Sequence, residues 1–394
     1  MKYDFDAIID RSNMWSVKYD EAEKKFGTKD LLQLWIADME FKTSPEIIEA
    51  MKERAEHGIF GYTSRKESYD EAILNWQKRR NGWEIDKDLM SFSPGVIPAL
   101  VYIVNELSEK GDKVLLLSPV YSEFFTVIND WNREVVTSSL KEVNSRYEID
   151  FDDFEKKVSD GVKLFILCNP HNPVGRVWSV DELKKLGDIC VKYGVTIVSD
   201  EIHSDLNLFN NKHTVMATVS KEIAKNTITC FAPTKTFNLA GIQASSIVFP
   251  NKEIKEKYDE YWGKMDIRRN NCFSAVAVEV AYDKGEEWLK ELIPYIENNM
   301  KFVKKFLDEN IPKIKMSIPE STYLIWLDCR ELGMNPQELN EFMVKKAGLG
   351  LNNGTAFGED GAGFMRLNAA CSIKILEKAM NQLKVAVDNY LKIQ

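Results

Sequence analysis

The chain has 394 residues, of which 44% are hydrophobic and 29% are charged, a composition typical of globular proteins with a large core. Because single cores rarely grow beyond about 250–300 residues, this length predicts two domains. The net charge of −9 argues against a broad nucleic-acid-binding surface, so any anion-binding site must be local.

The sequence predicts a cytoplasmic protein without a membrane segment. No apolar run approaches membrane-spanning length, and the start MKYDFDAIIDRSN is too acidic and too polar for a leader. There are only four histidines, and the six cysteines lie far apart without a CxxC pair. This pattern favours buried thiols in a reducing compartment and predicts neither disulfides nor a metal site.

Short β-rich runs predict five buried strands: Lys113–Ser118, Lys163–Cys168, Val195–Ser199, Thr227–Phe231 and Ser245–Phe249. Between the second and third strands, Ser179 and Glu182 have capping-box spacing, an apolar periodic stretch runs to Tyr193, and Gly194 follows as a C-cap. Strand, helix and strand in this order predict an α/β fold with a mostly parallel, doubly wound sheet.

Polar side chains follow three of these strands. Asn169 and Asn172 follow the second, Asp200 follows the third, and Lys235 lies a few residues beyond the fourth. Ligands bind such sheets beyond the carboxyl ends of the strands. We therefore expect an amide, a carboxylate and an amine at one edge of the sheet.

From Glu286 onward, long amphipathic stretches alternate with two predicted strands, Thr322–Leu327 and Phe364–Leu367, separated in part by a glycine-rich loop at Asn352–Gly363. This α+β pattern predicts a small domain of residues 286–394 together with residues 1–42. Residues 43–285 form the predicted large domain.

Lys235 lies in the run APTKTFNLAG, between a predicted strand and a glycine-closed turn. An amine in that position can reach a carbonyl, and lysine is the usual residue for Schiff-base chemistry with pyridoxal phosphate. The ordinary alternative is a solvated surface charge, as for most of the 52 Lys and Arg residues.

Four runs together resemble the fold type I, aspartate-aminotransferase-like enzymes, and more narrowly their C–S lyase branch, the cystathionine β-lyases: NPHNPVGR (169–176), SDEIHSDL (199–206), APTKTFNLAG (232–241) and FMRLNAACS (364–372). The resemblance covers nearly the whole chain, including WIADMEFKTSPEI near the start and PGVIPAL at 94–100. It implies a PLP-dependent transferase-like fold, pyridoxal 5′-phosphate as the cofactor, and a homodimer with shared active sites.

The resemblance also implies residue roles. Lys235 would hold the cofactor as a Schiff base and take the α-proton of the substrate. Asp200 would keep the pyridine nitrogen protonated, Asn172 would donate to the phenolate oxygen, and Tyr121 would stack on the ring. His203 is a further implied cofactor contact, where the broader aminotransferase group usually has tyrosine. Taken alone, Asp200 also fits a helix N-cap, Asn172 a turn and Tyr121 a core aromatic.

The cofactor phosphate is expected at the backbone amides of Gly95, Val96 and Ile97, which precede an apolar helical stretch. Thr234 would add a hydroxyl. Tyr62, in FGYTS, is expected to reach in from a partner subunit, as its counterpart does across family dimers.

Arg366, Ala37 and Asn172 are the implied substrate-binding residues. A guanidinium grips an α-carboxylate through two parallel hydrogen bonds, which lysine cannot reproduce. A structural salt bridge is the alternative role for Arg366.

Some positions depart from the family pattern. Ala232 replaces a phosphate-binding serine, Ser321 replaces a glycine, and Ser372–Ile373 stands where a Pro–Arg pair often follows the arginine. These departures concern the substrate side-chain pocket more than the cofactor site.

The resemblance implies a C–S β-lyase that cleaves cystathionine or related cysteine S-conjugates to a thiol, pyruvate and ammonia. An aminotransferase shares the early steps and is one alternative. A PLP-binding regulatory protein that acts through its contact surface is another.

Overall fold

The computed structural model describes residues 2–143 and 145–393 of the chain. Its strands, numbered in chain order, are β1 (Leu32–Gln33), β2 (Met90–Ser93), β3 (Lys113–Ser118), β4 (Glu134–Ser139), β5 (Lys141–Val143), β6 (Arg146–Glu148), β7 (Val162–Cys168), β8 (Thr196–Asp200), β9 (Thr227–Phe231), β10 (Ser245–Val248), β11 (Lys315–Met316), β12 (Leu324–Asp328), β13 (Leu349–Gly350), β14 (Asn352–Asn353) and β15 (Phe364–Asn368).

The α-helices of the described residues connect these strands. They are α1 (Val17–Asp20), α2 (Ala22–Phe26), α3 (Pro45–Glu56), α4 (Glu67–Asn81), α5 (Val96–Leu107), α6 (Ser122–Asp130), α7 (Phe151–Ser159), α8 (Val180–Tyr193), α9 (Lys221–Ala224), α10 (Pro233–Thr236), α11 (Lys252–Lys264), α12 (Cys272–Lys284), α13 (Glu286–Asn310), α14 (Pro336–Lys345) and α15 (Ile373–Leu391). In the part of the chain that the structure describes, no helix is both long enough and apolar enough to cross a membrane.

The main sheet has seven strands in the order β2, β10, β9, β8, β7, β3, β4. The five strands from β9 to β4 are parallel, whereas β10 runs antiparallel to both of its neighbours, β9 and β2. The predicted α/β fold with a mostly parallel sheet is confirmed. The fifth predicted strand does belong to this sheet, but it is the antiparallel one.

Helices cover both faces of this sheet, because successive side chains of a strand point to opposite faces. In β3, Leu115 and Leu117 pack with α7 and α8, whereas Val114 and Leu116 pack with α5, α6 and α11. This arrangement is the doubly wound architecture predicted from the strand–helix–strand order. The capping box of Ser179 and Glu182 begins α8, and Gly194 ends it at φ 69°, as predicted.

Several predicted strand boundaries need correction. β3 and β9 have the predicted bounds, and β7 and β8 differ from them by one residue. The prediction missed β2 and β4, whose sequences MSFS and EVVTSS are too polar to stand out. The strand predicted from Thr322 begins instead at Leu324, because Thr322 lies in the left-handed backbone region at φ 73°.

The small sheet has the order β11, β12, β15, β14 and is antiparallel. The predicted glycine-rich loop therefore begins with a strand, β14. The N-terminal segment lies beside this sheet: β1 pairs with β13, and the Leu34 carbonyl accepts a hydrogen bond from the Asn368 amide at 2.9 Å. These contacts agree with placing residues 1–42 beside residues 286–394, and the domain boundaries stay a prediction.

A buried ion cluster fixes the N-terminal segment next to residue 37. Lys18 is 1% exposed, and its Nζ lies 2.9 Å from Asp38 Oδ1 and 2.6 Å from Glu40 Oε1. Arg11 pairs with the same two carboxylates at 2.9 Å. Because two cations face two largely buried anions, removing Lys18 leaves two carboxylates that share the single charge of Arg11.

Replacing Lys18 by methionine is therefore expected to lower the free energy of unfolding by about 3 kcal/mol. The control is Lys184→Met, which breaks a pair with Asp188 in which both side chains are 55% exposed, and which should cost about 0.5 kcal/mol or less. Urea denaturation measures both variants. Equal losses would show that Lys18 in the buried cluster contributes no more to the free energy of unfolding than a lysine in an exposed ion pair.

Candidate active site

The carboxyl edge of the main sheet opens into a cavity of about 190 Å³. Since β2 and β9 are both antiparallel to β10, they run in the same direction, and their carboxyl ends meet those of β7, β8 and β3 at this edge. The cavity is lined by Ala37, Pro94, Gly95, Val96, Ile97, Pro98, Tyr121, Cys168, Asn172, Asp200, Ile202, His203, Ala232, Thr234, Lys235, Ala240, Gln243 and Ala244.

Lys235 reaches this cavity from α10, a single helical turn that follows β9 and has Pro233 in its first turn. Its Nζ donates a hydrogen bond to the Ala37 carbonyl at 2.7 Å. Burial lowers the pKa of this amine to about 8, the charge of Asp38 opposes that shift, and the charge of Arg366 adds to it. A substantial fraction of Lys235 is therefore neutral, and nucleophilic, near pH 8.

Asp200 ends β8 and lines the same cavity. One carboxylate oxygen, Oδ1, accepts a hydrogen bond from the Ile202 amide at 3.1 Å, and no protein donor to Oδ2 is found among the described residues. Burial raises the pKa of Asp200 to about 7, although the Ile202 amide and the Lys235 charge both oppose the rise. This carboxylate is poorly solvated and suited to pair with a cation that enters the cavity.

The neighbouring carboxylate, Glu201, has a different environment. It accepts hydrogen bonds from the Ser199 hydroxyl at 2.9 Å and the Met216 amide at 2.9 Å, and its Oε2 lies 2.7 Å from His213 Nε2. Glu201 is thus fully engaged by the protein, whereas Asp200 has an oxygen free for a ligand. The sequence patterns do not distinguish the role of Asp200 from that of Glu201, and only the resemblance assigned the cofactor contact to Asp200.

Arg366, on β15, lies beside the cavity and is 4% exposed. Its guanidinium donates to Asn172 Oδ1 at 3.1 Å, to the Trp35 carbonyl at 3.1 Å and to Asn352 Oδ1 at 2.9 Å. All three acceptors are neutral, Nε has no partner, and no carboxylate of the described residues pairs with this arginine. Burial accordingly lowers the pKa of Arg366 to about 10.

A buried guanidinium without an anion favours the functional role over the structural salt bridge. The guanidinium also stacks on Phe357, with Cζ 4.7 Å from the ring centroid. Its hydrogen bond to Asn172 joins two of the three residues that the resemblance assigned to the substrate. Arg366 is therefore held in place and ready for a carboxylate.

His203 lines the cavity from the loop that follows β8, and Tyr121 lines it from the N-cap position of α6, which follows β3. Burial lowers the pKa of His203 to about 3, with the charges of Lys235 and Arg366 adding to the shift, so the imidazole is neutral. Burial raises the pKa of Tyr121 to about 12. Both groups enter the cavity uncharged and can act there as hydrogen-bond or ring contacts.

The predicted phosphate site coincides with the N-terminus of α5. Gly95 is the N-cap residue, and Val96 and Ile97 are the first two helical residues, whose amides have no partner within the helix. Thr234 lines the same cavity, and Lys235 is the sole cation among the described residues that line it. A dianion here would depend on amides and the helix dipole rather than on arginine.

Tyr62 is the predicted site residue that the structure does not bring to this cavity. It is 97% exposed and lies under the Arg269 guanidinium, with Cζ 5.7 Å from its ring centroid. The exposed side chains of Ile59 and Phe60 lie nearby in the sequence. This position leaves Tyr62 free for a partner subunit and gives it no role in the cavity of its own chain.

Sequence reasoning missed some contacts at the site. Tyr323 donates its hydroxyl to the Ala37 carbonyl at 2.9 Å, and Cys168 Sγ accepts from the Asn172 amide at 3.4 Å. Gln243 also lines the cavity, with its backbone at φ 56°. Within STYLIW, Tyr323 has the pattern of a core aromatic, and no sequence pattern marks a backbone carbonyl as an acceptor.

Comparison with known proteins places this chain in a family. The sequence model of the protein family "Aminotransferase class I and II" matches residues 29–383 of this chain. Cystathionine beta-lyase PatB of Bacillus subtilis is 44% identical over 384 residues, which span 97% of this chain and 99% of PatB.

Two solved structures are similar in fold. Cystalysin of Treponema denticola, which contains a pyridoxal 5′-phosphate cofactor, has a TM-score of 0.96 and 36% identity, covering 99% of this chain and 100% of that one. The PLP-bound C–S lyase of Staphylococcus hominis has a TM-score of 0.91 and 32% identity, covering 98% of both chains. The chain belongs to the class I and II aminotransferase family, in its C–S lyase branch.

Proposed function

We propose that this protein is a pyridoxal-phosphate-dependent C–S β-lyase that acts on cystathionine or related cysteine S-conjugates. The observation that carries the proposal is one cavity lined by Lys235, whose pKa is lowered, by Asp200, which has one carboxylate oxygen without a protein donor among the described residues, and by the neutral His203. The buried guanidinium of Arg366, which pairs with no carboxylate of the described residues, lies beside this cavity. Relatives named as C–S lyases support the same reaction class.

The residues present fit the cofactor. Asp200 has an unpartnered oxygen for a protonated ring nitrogen, the amides of Val96 and Ile97 can bind a phosphate, and Lys235 offers an amine of pKa about 8. When bound, pyridoxal 5′-phosphate supplies an aldehyde carbon for amines and a ring that withdraws electrons from the substrate α-carbon. We assign Tyr121, His203, Asn172 and Thr234 as further contacts to it.

The protein's own groups then determine what happens to the substrate. Arg366 binds the α-carboxylate and, through its bond to Asn172, fixes the position of the amino acid in the cavity. Lys235 Nζ takes the α-proton as general base. The low exposure of Asp200, His203 and Arg366 keeps bulk water from these groups, which strengthens their electrostatic interactions.

The net reaction breaks the bond between the β-carbon and sulfur. Cystathionine and one water give homocysteine, pyruvate and ammonia, and the sulfur leaves with the electron pair of that bond and acquires a proton. No external oxidant or reductant is required. The α-proton removed by Lys235 Nζ balances the departure of the thiol.

The test is to incubate the protein with L-cystathionine in the absence of any keto acid. Pyruvate and free thiol in equal amounts are the expected products. Turnover that begins only after a keto acid is added would reject the lyase in favour of an aminotransferase, the activity named in the family description. Bound cofactor without either reaction would favour a regulatory binding role.

The lowered pKa of Lys235 predicts the pH dependence of cofactor uptake. Only the neutral amine attacks an aldehyde, so the uptake rate of cofactor-free protein should rise about tenfold per pH unit well below pH 8 and level off above it, since burial holds this pKa near 8. An ordinary lysine of pKa about 10.4 would extend the rise by about two pH units. Stopped-flow absorbance measures the rate.

We further propose a cytoplasmic homodimer in which Tyr62 of each chain contacts the cofactor site of the other. The 97% exposure of Tyr62 supports a role outside its own chain, and the cysteines, which are all free, suit a reducing compartment.

Analytical ultracentrifugation should show a dimer. Tyr62→Phe should weaken cofactor binding, whereas Tyr193→Phe, at another exposed tyrosine, should leave it unchanged. A monomer with full activity would reject the shared site.

A further inference from the structure

The Ala37 carbonyl accepts hydrogen bonds from two side chains that come from different parts of the chain. One donor is Lys235 Nζ at 2.7 Å, and the other is the Tyr323 hydroxyl at 2.9 Å. Tyr323 is fully buried, and burial raises its pKa well above the usual range, so its hydroxyl keeps its proton. Ala37 O is the one hydrogen-bond partner of this hydroxyl among the described residues.

The backbone around Tyr323 is fixed on both sides. Thr322 is held at φ 73°, an unfavourable conformation for a β-branched residue. Its amide and the Ser321 hydroxyl both donate to the Leu206 carbonyl at 2.8 Å, and the Tyr323 carbonyl accepts from the Ala369 amide at 2.8 Å. Strain of this kind persists where surrounding contacts hold it. Here those contacts restrain the backbone from which the Tyr323 side chain extends to the Ala37 carbonyl.

The segment that carries the carbonyl is also held in place. Asn368 Nδ2 donates to the Ile36 carbonyl at 2.7 Å and to the Asp38 carbonyl at 2.6 Å, and Arg366 Nη2 donates to the Trp35 carbonyl at 3.1 Å. Because both flanks are restrained, the Ala37 carbonyl cannot readily turn away to find another donor. When Lys235 is engaged by the cofactor, Tyr323 is the one protein donor to the Ala37 carbonyl that remains among the described residues.

We propose that Tyr323 is a positioning residue for Lys235, acting through the Ala37 carbonyl. It holds this oxygen in place as the acceptor for the free amine of Lys235, and it satisfies the oxygen while Lys235 holds the cofactor. The proposal rests on the proposed function of Lys235. It adds a residue from the segment just before β12 that favours the cofactor-loaded state.

Tyr323→Phe should weaken cofactor binding by about 5- to 100-fold, because the loaded enzyme would leave a restrained carbonyl without a protein donor. The matched control is Tyr295→Phe, since the Tyr295 hydroxyl donates to Asp6 and accepts from the Ile373 amide at 3.0 Å, away from the cavity. Tyr295→Phe should lower the unfolding midpoint but leave cofactor affinity within about twofold. Equal cofactor affinity in Tyr323→Phe and the unmodified protein would overturn the proposal.

A second measurement uses the cofactor-free full-length chain and does not depend on lyase activity. In that state either donor alone satisfies the carbonyl, so Tyr323→Phe and Lys235→Met should each lower the urea midpoint slightly. The double variant, which removes both donors, should lose more than the sum of the single losses. Additive losses would overturn the proposal, whereas a failed lyase assay with a clear excess loss would reject only the proposed reaction.

Discussion

Replacing Lys235 by alanine is expected to lower kcat for pyruvate formation by about a thousand-fold or more. The variant lacks both the amine that holds the cofactor and the base that takes the α-proton, and general base catalysis alone contributes about 10²–10⁴-fold. Pyruvate release from L-cystathionine, coupled to lactate dehydrogenase, measures the loss.

The matched control is Lys264→Ala, because Lys264 is 71% exposed and pairs with Glu260 on the surface. Its kcat should stay within about twofold of the unmodified protein. A Lys235→Ala variant that keeps a tenth of the activity would show that another group carries the chemistry. Lys235→Arg, which retains a cation but no nucleophilic amine, should be as inactive as the alanine variant.

Replacing Arg366 by lysine is expected to lower kcat/KM by about 100-fold or more, even though the positive charge is kept. The planar guanidinium bonds a carboxylate at two points while still donating to Asn172, and the lysine ammonium has neither the reach nor the fork geometry. Steady-state kinetics with L-cystathionine measures the change, which should fall mainly on KM if the contact is equally strong in the ground and transition states.

Arg330→Lys provides the control for this substitution. Arg330 also lies over an aromatic ring, with Cζ 4.6 Å from the Phe364 centroid, but it is 51% exposed and pairs with Asp328 and Glu142 on the surface. Its kcat/KM should stay within about twofold. Loss of the same size in both variants would indicate a structural role for Arg366 rather than binding of substrate.

The regular elements were predictable where local chemistry determines them. Ser179 and Glu182 specify the start of α8, and the apolar runs of β3 and β9 specify strands that are buried on both faces. The direction of β10 was not predictable, because hydrogen bonding across the sheet sets it and the sequence SSIV does not. β2 was missed because its MSFS sequence carries only two apolar residues.

The functional side chains of the site were predictable, whereas the role of the Ala37 carbonyl was not. Lys235 and Asn172 follow strand ends and Asp200 is the last residue of β8, so the rule for parallel sheets brings them together. The resemblance assigned Arg366. The use of the Ala37 carbonyl as a shared acceptor depends on contacts among residues far apart in the sequence. The conformation of Thr322 likewise follows from tertiary hydrogen bonds rather than from its own preference.

The central claim is that the buried amine of Lys235 holds the cofactor. The most direct measurement is borohydride reduction of the purified, cofactor-loaded protein, followed by proteolysis and mass spectrometry of the modified peptide. The account predicts a single pyridoxyl adduct on Lys235, within the peptide that contains APTKTFNLAG. An adduct on another lysine, or none in protein that has bound cofactor, would contradict it.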